Sequence, residues 1–205
     1  MKKGTIVLIL GMLAAVIFAG CGSKLDVDKN TIALQKNGNI LEAAVEDFSE
    51  SYYSEEELTA YINEAVDTYV SENGDKSVSV TDSKVENGKA YLTLKYENID
   101  NFSDFTGIES FSGSVIEAQS AGYDFDVDFC AVGDEAGPDT VSSDVVLSAD
   151  DLKVFIVKDN SDIIVPGTIV YFSAEGTSLS AKDTVAVAPK ESDTDESVLV
   201  YVLYK

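Results

Sequence analysis

The chain has 205 residues with 37 acidic against 14 basic side chains, a formal charge of −23, and no histidine or tryptophan. All 14 basic residues are lysines. Such a surface repels nucleic acid and anionic polymers. The missing residue types exclude Ser-His-Asp and Cys-His catalysis, imidazole metal ligation and bidentate arginine clamps. With 45% hydrophobic residues the chain can bury a core.

Residues 1–20 read as a secretory leader. Lys2 and Lys3 start it, an apolar run from Ile6 to Phe18 follows, and Ala19-Gly20-Cys21 closes it. That run of 13 residues suits a signal core and falls short of the roughly 20 a bilayer crossing needs. Phe18-Ala19-Gly20-Cys21 resembles the lipobox of bacterial lipoproteins, with Phe18 where Leu is usual. The resemblance implies cleavage before Cys21 and a diacylglycerol on its sulfur. It places the protein on the extracytoplasmic face of the cell membrane, held by lipid. Acyl chains contribute about 0.8 kcal/mol per buried methylene, so two anchoring signals hold durably where one does not. Losing Lys2 and Lys3 takes the mature charge to −25, so anionic headgroups give the anchor no help. Cys130 then remains as the one thiol, in the apolar setting of Phe129 and Ala131, and is expected to be buried and inert.

Residues 21–30 read as a short polar tether, and 31–205 as one α+β domain, with a possible C-terminal β subdomain over about 142–205. Thr31–Lys36 and Asn39–Asp47 flank Asn37-Gly38, a hairpin signal. A two-residue turn there pairs Leu34 with Leu41 and Ile32 with Ala43, all on one face. Ser54–Glu72 is the main amphipathic helix. Leu58, Tyr61, Ile62, Ala65, Val66, Tyr69 and Val70 follow helical spacing, with Leu58, Ile62, Val66 and Tyr69 expected among the most buried residues. Ser54 and Glu57 suggest a capping box, and Asn73-Gly74 a stop. Asn87-Gly88 marks a second hairpin, whose apolar faces agree only if a bulge lies between Val80 and Val85. Asn98–Thr106 is irregular or a short helix closed by Gly107.

Beyond Phe111 the pattern is β-like. Candidate strands are Phe111–Ala118, Tyr123–Val132, Val141–Leu147, Val154–Val157, Ile163–Val165, Thr168–Ser173, Thr184–Val187 and Val198–Tyr204. Ser148–Leu152 suggests a helical turn capped by Ser148. Glu191–Ser197 is a charged run that reads as a solvated loop. Runs of strands beside few helices give an α+β class, antiparallel and β-rich. Besides the lipobox, the helix start Ser-Tyr-Tyr-Ser-Glu-Glu-Glu-Leu and the segment Val165-Pro166-Gly167 resemble uncharacterised lipoproteins of Gram-positive anaerobes. That resemblance implies no activity.

For chemistry, carboxylates remain. Paired acids hydrolyse glycosides, but 37 acids in a short chain form close pairs by chance. Asp124, Asp126 and Asp128 alternate with Phe125, Val127 and Phe129. As a calcium loop this puts oxygens at positions 1, 3 and 5 and Glu135 at position 12. Yet Phe129 occupies position 6, where the loop needs glycine. The favoured reading is a strand with a wet acidic face and a buried aromatic one; loose calcium binding by Asp124, Asp126, Asp128 and Glu135 stays open. Tyr52, Tyr53, Tyr91, Tyr96, Tyr123 and Tyr171 read first as half-buried structural residues, second as a recognition surface. The function expected is a lipid-anchored extracytoplasmic binding or interaction module without a cofactor. Its ligand is an unknown protein or small molecule. A carboxylate-only hydrolase and a module with a structural calcium ion are the alternatives.

Overall fold

The computed structural model describes residues 25–133, 139–149, 151–188 and 197–205. The leader, Cys21, Glu135 and most of the 191–197 run lie outside them. The chain enters through β1 (Thr31–Leu34) and β2 (Ile40–Asp47). The turn between them holds three residues, not two. Gly38 N donates to Gln35 O at 2.9 Å and Gln35 N to Asn39 O at 2.8 Å. Gly38 sits at φ +87°, a left-handed conformation glycine adopts freely. The extra loop residue slips the register by one, so Leu34 faces Ile40 and Ala33 faces Leu41. A one-residue slip exchanges faces. Ile32, Leu34 and Ile40 thus enter the central core, whereas Ala33, Leu41 and Ala43 lie on the opposite side. The expected grouping on one face is corrected: both faces are covered, so apolar periodicity could not select the register.

α1 (Glu55–Asn73) follows. Ser54 caps it, its Oγ accepting from Glu57 N at 3.3 Å, and Gly74 N closes onto Val70 O at 2.8 Å. None of its residues is fully buried. Val66, Tyr69 and Val70 pack on the central core, while Leu58 and Ile62 are half-buried and Tyr61 is 73% exposed. The deep burial expected for this face is corrected. α1 rests on β3 (Val78–Glu86), an edge strand that covers it from one side. β4 (Lys89–Tyr96) returns through Asn87 and Gly88, both left-handed. The expected bulge is present, between Val80 and Asp82, where Thr81 Oγ1 donates to Thr93 O at 3.1 Å.

α2 (Ile99–Thr106) is capped by Asn98 and ends at left-handed Gly107. The expected strand from Phe111 to Ala118 splits into β5 (Ser110–Ser114) and α3 (Val115–Ser120). A capping box divides them: Ser114 Oγ accepts from Glu117 N at 3.2 Å, and Ser114 N donates to Glu117 Oε2 at 2.8 Å. β6 (Phe129–Ala131) and β7 (Asp139–Val141) precede α4 (Ser143–Leu147). Val141–Leu147 is therefore mostly helix, and Ser148 ends that helix instead of starting a new turn. β8 (Lys153–Lys158), β9 (Asp162–Ile164), β10 (Ile169–Ser173), β11 (Thr177–Ala181), β12 (Thr184–Val187) and β13 (Leu199–Tyr204) complete the chain. All but β11 match expected strands. β11 has one large apolar residue, Leu179, and sits exposed at a sheet edge.

The architecture is α+β and β-rich: a seven-stranded sheet in the order β11-β12-β9-β1-β2-β4-β3 and a six-stranded sheet in the order β5-β8-β13-β10-β6-β7. Apart from the parallel β1–β9 pair, the pairings are antiparallel. Strands beyond residue 142 enter both sheets. The sheets face one another across Ile32, Ile40, Tyr96, Phe155, Phe172, Val200 and Val202. α3 and α4 cover the far face of the six-stranded sheet through Val115, Ala118 and Val146. β13 is buried on both sides: Val200 and Val202 point to one core, Tyr201 and Leu203 to the other, which is why it reads as an unbroken apolar run. α2 bridges the sheets through β4 and β5.

Candidate binding surface

Asp124, Asp126 and Asp128 are exposed, on an irregular segment that precedes β6. The strand expected from Tyr123 is corrected to begin at Phe129. Asp124 Oδ1 accepts from Asp126 N at 2.9 Å, and Val127 N turns back to Phe125 O at 2.8 Å. Those local bonds replace a ladder. Phe125 anchors the segment, its ring 5.1 Å from Tyr201, and Tyr201 donates its hydroxyl hydrogen to Asp124 O at 2.5 Å. Burial pushes the Tyr201 hydroxyl up to about 12. Val127, expected inside, is 37% exposed. Among the described residues no group of three His, Cys, Asp or Glu side chains is placed to hold a metal ion; Glu135 lies outside them. Cys130 is half-buried against the central core, and burial pushes its thiol up, as a quiet packing cysteine should behave.

The carboxyl with a distinctive setting is Glu42. Burial raises it above the ordinary value; a hydrogen bond from Tyr96 lowers it, and the Asp159 charge raises it again. It lies on β2 with its partner Tyr96 on β4, on the face that carries Ile40. Neither residue lines the depressions beside Leu25 and Tyr91, between α1 and α2, or along the first turns of α1. Glycoside hydrolysis needs a second carboxyl roughly 5–9.5 Å away across an accessible cleft. Glu42 is partly buried on the inner face of the seven-stranded sheet, hydrogen-bonded by Tyr96 and within reach of the Asp159 charge.

The tyrosines divide. Tyr96 is fully buried and Tyr91 half-buried. Tyr52 is 73% and Tyr53 45% exposed; Tyr53 stacks on Phe48 at 4.9 Å, with Tyr52 edge-on at 4.9 Å. Tyr61 stands beside a shallow groove of about 300 Å³ between α1 and α2, walled by Tyr69 and Phe105 and flanked by Glu64 and Glu72. Tyr69 meets Phe105 edge-on at 5.2 Å and donates to Asp104 Oδ2 at 3.1 Å, so the walls are held. α1 carries Glu55, Glu56, Glu57, Glu64, Asp67 and Glu72 and no basic residue. Glu72 lies where the helix dipole is already negative and a cation would be favoured. The sequence placed Tyr61 on the buried face because it lies three residues after Leu58. The signal for its exposure was the breadth of the apolar arc, wider than one edge strand can cover.

Comparison with family models, curated proteins and solved structures found no match to this chain.

Proposed function

We propose that this is a lipid-anchored, extracytoplasmic, non-catalytic binding module, held on the cell membrane through Cys21, which receives a basic segment of a partner protein in the α1–α2 groove. The observation that carries the reading is Tyr61: a large aromatic residue left 73% exposed beside the Tyr69 and Phe105 rings, on a helix whose charged residues are all acidic. Tyrosine is enriched at recognition surfaces. A lysine or arginine over such rings gains about 0.5–2 kcal/mol from the cation–π attraction. Glu64 and Glu72 supply the charge that selects a cation, and a mature charge of −25 draws basic partners from a distance. The groove is shallow, which suits a peptide segment better than an enclosed small molecule.

The test is titration of the full chain with a short amphipathic lysine–leucine peptide. Tyr61→Ala should weaken binding roughly tenfold, as loss of a central aromatic anchor does. Tyr52→Ala, in the separate aromatic cluster, should leave affinity unchanged. Equal affinity for wild type and Tyr61→Ala contradicts the site.

A further inference from the structure

Leu25 fixes the start of the domain. It is 8% exposed and packs with Ala33, Leu41, Ala43 and Ile164 on the outer face of the seven-stranded sheet, with Val27 beside it. Asn30 continues the attachment: its Oδ1 accepts from Val45 N at 2.7 Å and its amide donates to Glu46 at 3.0 Å. Leu25, Val27 and Asn30, within the tether expected over 21–30, are thus docked on the sheet, and three residues separate Cys21 from Leu25 in sequence. Four residue steps from Cys21 to Leu25 reach at most about 14 Å, at 3.3–3.6 Å each.

Charge divides across the same sheet. Strand alternation puts Lys84, Lys89 and Lys95 on this outer face, among Asp26, Asp47, Asp82, Glu86 and Asp162. Lys84 Nζ is 3.5 Å from Glu86 and 4.8 Å from the Tyr91 ring centre. α1 packs on the core at the sheet's inner face and carries six acids without a base. An anionic leaflet repels carboxylates over a Debye length of ~8 Å at physiological salt. This face, with three lysines among its acids, is repelled less than α1, which has none.

We propose that the short link from Cys21 holds the outer face of the seven-stranded sheet, around Leu25, against the bilayer surface and so presents α1 and its groove away from the membrane. The inference rests on acylation of Cys21, as proposed above. It concerns the orientation of the domain and does not depend on what the groove binds.

The test uses the acylated full chain in phosphatidylcholine–phosphatidylglycerol vesicles containing a headgroup-attached quencher lipid. Cys130→Ser removes the internal thiol, and Cys21 is blocked by its acyl group. A fluorophore is then placed at Lys89→Cys or at Thr59→Cys, both exposed positions. Quenching should be several-fold stronger at position 89 than at 59. A long Gly/Ser insertion between Gly22 and Ser23 should erase the contrast. Equal quenching at both sites of vesicle-bound protein, or a contrast the insertion leaves intact, overturns the orientation while leaving the anchor standing. Protein that does not sediment with the vesicles overturns the anchor, and the orientation with it.

Discussion

Tyr96 donates its phenolic hydrogen to Glu42 at 2.5 Å, bringing a fully buried ring and a largely buried carboxyl together inside the β sandwich. Burial, the largest cause, pushes the Glu42 carboxyl above its ordinary 4.5. A folded-state value above the unfolded one means that the folded protein holds this proton more tightly. The site's contribution to stability is thus full below the unfolded carboxylate value and is lost as pH rises through the folded one. Glu42→Gln keeps an acceptor for Tyr96 and removes the charge. It should raise Tm at pH 7, with the advantage disappearing below about pH 4, under the ordinary carboxylate range. Identical Tm values for variant and wild type across that range would contradict the cost assigned to the charge.

Tyr96→Phe acts in the opposite direction. It removes the donor and leaves a desolvated carboxyl oxygen unpaired, which costs about 1–3 kcal/mol. Tyr61→Phe, on the exposed side of α1, should stay within about 0.5 kcal/mol of wild type. Urea unfolding of both variants checks this.

Phe102 is fully buried, with its ring edge-on to Tyr96 at 5.3 Å. Phe102→Ala should cost about 3–5 kcal/mol, because α2 cannot collapse into the space while it bridges both sheets. On α1 the effect should be graded. Val66→Asp puts a charge against the central core and should destabilise far more than Ile62→Asp, whose side chain is half-buried outside that cluster. Equal denaturation midpoints for the two aspartate variants would contradict the packing described for α1.

Net charge sets a further expectation. At −23 the chain repels itself, so added sodium chloride should raise Tm and then level off as screening saturates. Calcium and magnesium at matched ionic strength should stabilise equally. A true calcium site at Asp124, Asp126, Asp128 and Glu135 would instead add about 2.7 kcal/mol at a hundredfold excess over its Kd. That increment would vanish in Asp126→Asn.

What was legible in the sequence follows from what each signal encodes. Caps and turns are local chemistry, so Ser54, Gly74, Asn98 and the Asn87-Gly88 hairpin emerge within a residue or two of their observed positions. Even the β3 bulge was readable, because its absence would have put Val80 and Leu94 on different faces. Register in the first hairpin was not. Ile32 and Leu41 occupy opposite faces that are both buried, and apolar alternation carries no preference between two covered faces. Val115, Ala118 and Val146 fall in windows of strand-like pattern, yet belong to short helices that gain their stability from the sheet beneath, information that no local window holds. The groove was not legible: Tyr61 follows the apolar spacing of the packed face, and Phe105 reaches the groove only through the fold. Glu42 gave no signal, since its partner Tyr96 is 54 residues away.

The central claim is the anchor, and the most direct measurement is intact mass spectrometry of the membrane-extracted protein, with sequencing of its first residue. The account predicts a mature chain that begins at Cys21 and carries a diacylglycerol on its sulfur, with Cys21→Ala left unprocessed or released to the medium. A mature N-terminus elsewhere, with no acyl mass on the chain, would contradict it.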